Sequence, residues 1–89
     1  MMRPANWQVT VEFQAVLYTV QQKIPAAYGS FTETTDGVLF ACETDDIDYM
    51  ARYLMALNLP FTIHNPPELR EALLRLAEQM TQIATGVRS

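Results

Sequence analysis

Eighty-nine residues, 49% hydrophobic and 18% charged, fit one small globular domain or a piece of a larger chain, and argue against intrinsic disorder. The formal charge of −4 argues against a broad phosphate-binding surface, which needs a basic stripe, while leaving room for a local arginine pocket. Cys42 is the only cysteine, so an intrachain disulfide and a thiolate metal cage are excluded, and no apolar run nears the roughly 20 residues needed to span a bilayer. The start, Met1-Met2-Arg3-Pro4, has no signal-peptide apolar core behind it, so the chain reads as cytoplasmic, a single domain over 1–89 with a flexible 1–6.

Trp7, Val9, Val11 and Phe13 alternate with Gln8, Thr10, Glu12 and Gln14, the period of a strand with one wet face. From Ala15 to Ile24 the spacing turns helical: Val16, Leu17, Val20 and Ile24 share a face, and Pro25 ends it. Ala27 to Thr34 reads as a second strand, polar enough at Thr32, Glu33 and Thr34 to sit at a sheet edge. Thr35-Asp36-Gly37 is a hairpin signal, because Asp-Gly supplies the positive φ of a tight turn. Val38 to Cys42 is apolar on both faces, which predicts a central strand covered above and below. Cys42 within it is read as a packing residue.

Thr44, Asp45 and Asp46 place a cap and two carboxylates at the positive end of a second helix burying Ile47, Met50, Ala51, Leu54 and Leu57. Asp48 and Arg52, four residues apart, predict a weak ion pair on its outer face; Tyr49 and Tyr53 form a flanking stripe. Asn58 suits a left-handed terminus, and Pro60 prevents continuation. A short strand over Phe61–His64 then runs into a long helix over 67–85. Asn65 is its expected cap, with Glu68 reaching back in a capping box and Pro66 and Pro67 at the first helical positions. Leu69, Leu73, Leu76, Met80 and Ile83 make one stripe, and Gly86 is the stop.

The order β-α-β-β-α-β, with right-handed crossovers, predicts an α+β ferredoxin-like fold: a four-stranded antiparallel sheet with two helices on one face and an added C-terminal helix. Either that helix folds over the open sheet face, or one of these surfaces meets a second copy, a homodimer being the default assembly of so small a domain. Leu39 and Ala41, on the face away from the helices, and Leu73, Leu74 and Met80 are the interface candidates.

No residue set points to catalysis, a cofactor or a metal. His64 is the single histidine, with no cysteine beside it, and reads as a surface or capping residue. Asp45, Asp46 and Asp48 lack the glycine and ligand spacing of a cation loop. Ser30 and Ser89 have no base partner, and no glycine-rich phosphate loop occurs. Arg70 stands out because the first turn of a helix disfavours positive charge. A carboxylate of this domain, a neighbouring domain or a ligand phosphate could compensate it. Arg52 and Arg75 read as solvated helix faces, the latter near Glu71 and Glu78.

The turn Asp36-Gly37, the strand Val38 to Glu43, the segment Tyr53-Leu54-Met55-Ala56-Leu57, the strand Phe61 to His64 and the run Pro66 to Glu71 together resemble the C-terminal extension domain of bacterial WYL-type transcriptional regulators, a layout running from Val9 to about Ala84. The family's glycine after the second helix is replaced here by Asn58, which tolerates the same backbone. Regulators of this kind carry a winged helix-turn-helix and a WYL domain ahead of the extension, and neither portion has a counterpart in these residues, as in an excised fragment or a stand-alone module. The resemblance implies a non-enzymatic regulatory module that dimerises or closes against a WYL domain. Because some of these regulators respond to single-stranded DNA, it also implies a nucleic-acid effector as one partner of Arg70 and Arg52. The competing expectation is a stand-alone ferredoxin-like sensor of a small molecule.

Overall fold

The computed structural model describes residues 6–86; Ser89 and, apart from Asn6, the stretch expected to be flexible lie outside them. The elements are β1 (Trp7–Phe13), α1 (Leu17–Lys23), a 3-10 turn (Ala26–Tyr28), β2 (Ser30–Glu33), β3 (Val38–Thr44), α2 (Ile47–Ala56), β4 (Phe61–Asn65) and α3 (Pro67–Thr85). They form a mixed α/β domain with one sheet in the order β2-β3-β1-β4, antiparallel at every junction, so β1 and β3 are central and β2 and β4 are the edges.

The alternation along β1 sends Val9, Val11 and Phe13 to one face, where they join Val38 and Phe40 of β3 and the buried Val20, Ile24, Met50, Ala51, Leu54, Leu57, Leu69 and Ala72 in a single core. Pairing register fixes the rest. Phe13 lies opposite Phe61 and Phe31 opposite Phe40, so the four phenylalanines make a row across all four strands, with ring centroids 5.8 Å apart for Phe13–Phe61, 6.2 Å for Phe13–Phe40 and 5.2 Å for Phe31–Phe40. Such cross-strand aromatic contacts add to the area they bury and lock the strands against slippage.

The structure departs from the pattern the residues predict in several places. The expected cover above and below β3 is found on one face only, since Leu39 and Ala41, pointing away from the core, are just half-buried. The first helix begins at Leu17 rather than Ala15, and Val16 is 67% exposed, because no side chain caps its start. The second strand begins only at Ser30, since Ala26–Tyr28 turns as a 3-10 helix after Pro25. The hairpin after β2 closes through Thr34 N–H to the Gly37 carbonyl at 2.8 Å, yet neither Asp36 nor Gly37 has a positive φ. Glycine is required at 37 by close approach, because a Cβ there would stand 1.9 Å from the Phe13 carbonyl oxygen. Asn58 does take the left-handed conformation, at φ 58°.

The start of α3 also differs from expectation. Asn65 is the last residue of β4, and its side-chain amide donates to the Gln8 carbonyl at 2.7 Å. Having bonded across to β1, it does not cap α3; Pro66 occupies the cap position without a side-chain bond, Pro67 opens the helix, and no capping box forms. By contrast α2 does have a side-chain cap, though it is Asp46, which accepts the Tyr49 N–H at 3.0 Å, while the Thr44 hydroxyl accepts the Asp46 N–H instead.

Candidate functional site

α2 has 10 residues and α3 has 19, lengths of about 15 and 28 Å. Arg75 of α3 reaches Asp48 in the first turn of α2, while Met55, near the other end of α2, shares a groove with Arg70 and Leu73, so the two helices run antiparallel. The shorter helix therefore runs out near Arg75, and every α3 residue from Ala77 onward is exposed. The stripe divides there. Leu69 is fully buried and Leu73 packs on the core, whereas Met80 is 55% and Ile83 72% exposed. Leu74, on a different face of the helix, is 64% exposed. The helix does not fold over the open sheet face; its covered half packs on α2 and β4.

Arg75 Nη2 donates to Asp48 Oδ1 at 2.7 Å, so the expected pairing of Asp48 with Arg52 is replaced by a bridge between helices, and Arg75 does not belong to Glu71 or Glu78. Among the described residues neither Arg52 nor Arg70 has an ion-pair partner, and the two do not form one site. Arg52 lines a cleft of about 170 Å³ between α2 and α3 with Asp48, Arg75, Leu76 and Gln79. Arg70 lines a separate groove of about 510 Å³ beside β4, walled by Met55, Leu73 and the continuous run Leu59, Pro60, Phe61, Thr62 and Ile63.

The open sheet face presents Leu39 and Ala41 among polar side chains. Glu12, near the end of β1, accepts from Thr34 Oγ1 at 2.7 Å and from His64 Nε2 at 3.1 Å. The Thr34 bond, then the His64 bond, hold its carboxyl below the usual range. Gln8 donates to Glu43 farther along the same face. This cluster is not visible in the sequence: alternation turns Glu12 and His64 outward, but only the β1–β4 register, with its irregularity between Thr10 and Val11, makes them neighbours. Among the described residues no three histidine, cysteine or acidic side chains come together to hold a metal ion, and no helix is long and apolar enough to cross a membrane.

Comparison with known families decides the relationship. The model of the WCX domain matches residues 5–81, nearly the whole chain. The chain belongs to the WCX domain family. No curated protein and no solved structure gives a significant match to it. The WCX domain is the C-terminal extension of WYL-type regulators, an accessory domain associated with transcription regulation rather than a known enzyme family. The matched span ends within α3, so it contains the covered half of that helix and the exposed half as far as Thr81, Met80 included.

Two further features of this WCX domain follow from packing. Tyr53 stands between Tyr28 and Tyr49, with centroids 5.5 and 6.2 Å away, and its phenol is pushed up by burial and then by these neighbours. Burial also pushes the half-buried Cys42 thiol up, away from the reactive thiolate, in keeping with a packing residue.

Proposed function

We propose that this WCX domain is a non-catalytic regulatory module of a WYL-type regulator, acting through packing in the cytoplasm. Its fold is ferredoxin-like, a reading supported by the central places of β1 and β3 and by the shared core beneath the helices. The observation that carries the function is the uncovered second half of α3. Leu73, Leu76, Met80 and Ile83 follow the three-four-three spacing of a coiled-coil seam, and the seam continues past the point where α2 can cover it. From Ala77 to Thr85 the helix carries a single charge, Glu78, on the side away from the seam. Two identical copies can therefore pack Met80 and Ile83 together without like-charge repulsion, which favours a homodimer over a charged partner surface. The half-buried Leu39 and Ala41 offer the parent's WYL domain a second, smaller apolar contact. In this reading, effector binding in the parent shifts the geometry of the packed modules and so the spacing of the DNA-binding heads, with Arg52 available to a nucleic-acid effector from the cleft between α2 and α3.

Sedimentation velocity tests it. The chain is expected to show concentration-dependent dimers, and M80E together with I83E is expected to give a folded monomer. A folded monomer at all concentrations, or a dimer indifferent to both substitutions, would overturn the proposal.

A further inference from the structure

The groove beside β4 has a geometry that a pocket for a compact ligand lacks. Along a strand, neighbouring side chains point to opposite faces, so a depression on one face touches alternate residues. This groove touches Phe61 and Ile63, which face the core, and also Thr62, which lies between them on the other face. Only a groove that follows the strand's outer edge meets all three. β4 is an edge strand, bonded to β1 alone, and a second depression lined by Asn58, Leu59 and Pro60 continues the groove at its start. The floor is apolar, and the one charge on it is Arg70. No ion pair holds Arg70 among the described residues, and the positions three and four residues away along α3, Pro66, Pro67, Leu73 and Leu74, carry no carboxylate.

We infer that this edge receives an extended peptide segment as a fifth strand, with alternate apolar side chains over Phe61 and Leu73 and a carboxylate meeting Arg70. Main-chain bonds to an edge strand supply affinity, while a charge placed at one register position supplies selectivity. A second copy of β4 does not fit, because Phe-Thr-Ile-His-Asn offers no acid to Arg70. A single-stranded nucleic acid fits poorly, since such strands follow grooves with many cations, and this one has a single arginine. The inference is independent of the dimer proposed above, which uses the opposite end of α3.

The test is selection from a random octapeptide library displayed on phage, using the 89-residue chain as bait. Enriched peptides are expected to alternate apolar residues and to share an aspartate or glutamate. The best of them should protect the amides of Phe61 and Ile63, which point to the free edge, from hydrogen exchange, while Thr62, whose pair with Glu12 is already bonded, is unchanged. R70Q is expected to weaken it roughly fivefold, the range of a partly exposed charge pair, and R70E should enrich lysine or arginine peptides instead. Methylating one alternate set of peptide amides should abolish binding while the other set is tolerated, as an antiparallel or parallel ladder requires. Failure to enrich, winners without a carboxylate, equal binding by both methylated forms, tighter competition by a single-stranded oligonucleotide, or growth of the chain into β2-to-β4 oligomers without peptide would each overturn the inference.

Discussion

The two halves of α3 carry the same apolar spacing and stand in opposite surroundings. From Leu69 to Leu73 the stripe is core, sealed by α2 and β4; from Met80 to Ile83 it faces water. Composition does not distinguish them. The difference is set by the length of a neighbour, since α2 runs out where Asp48 meets Arg75. A helical stripe therefore states that a face calls for cover without saying what supplies it, and the covering element decides how much of the stripe becomes core.

The sharpest way to break that contrast is to cut the chain. Ending it after Pro67 removes Leu69 and Ala72 from the core, and cooperative thermal unfolding should disappear. Ending it after Gln79 should, at concentrations where the protein is monomeric, leave a cooperative transition at nearly the same temperature; a lost transition there would mean the exposed half holds the domain together. Point substitutions sharpen the same comparison. L69A should destabilise by about 2–5 kcal/mol in urea titration, the range for a leucine deleted from a well-packed core. I83A, measured under conditions where the protein is monomeric, should stay within about 0.5 kcal/mol. Comparable losses at the two positions would erase the distinction. At the boundary, a double-mutant cycle of D48A and R75A should return a coupling of about 0.2–1 kcal/mol that shrinks with salt, since both side chains are 56% exposed.

Periodicity made much of this legible. The odd residues of β1, the capped start of α2, the left-handed Asn58 and the apolar stripe of α3 all follow from spacing and local chemistry, and the structure places them accordingly. What the sequence conceals depends on tertiary register. Asn65 has the chemistry of a helix cap, but its amide is taken by the Gln8 carbonyl once β4 pairs with β1. Asp48 has an arginine four residues on, yet its bond goes to a helix 27 positions distant in sequence. Gly37 looks like a source of positive φ and instead makes room for the Phe13 carbonyl. In each case local chemistry named the right residue type and a non-local neighbour claimed it. The same holds for the β4 groove: an edge strand and an unpaired Arg70 are each visible as residues, while their meeting is not.

The open sheet face is a second uncovered surface, and it differs from the exposed half of α3 in having satisfied its polar groups internally. Glu12 is the test of that difference. Its carboxyl is held low in the folded protein, first by Thr34 and then by His64. A carboxyl that is lowered on folding contributes stability that is fully present above the ordinary carboxylate range and is lost as pH falls through the folded value. Stability should therefore decline on acidification, and T34V should flatten that decline more than H64A does. The direct readout is the Glu12 carboxyl resonance, whose titration midpoint should rise in both variants and rise further in T34V. An unmoved midpoint would mean that Glu12 is solvated independently of its neighbours. The open face would then be an unsatisfied surface awaiting a partner, as the exposed half of α3 is.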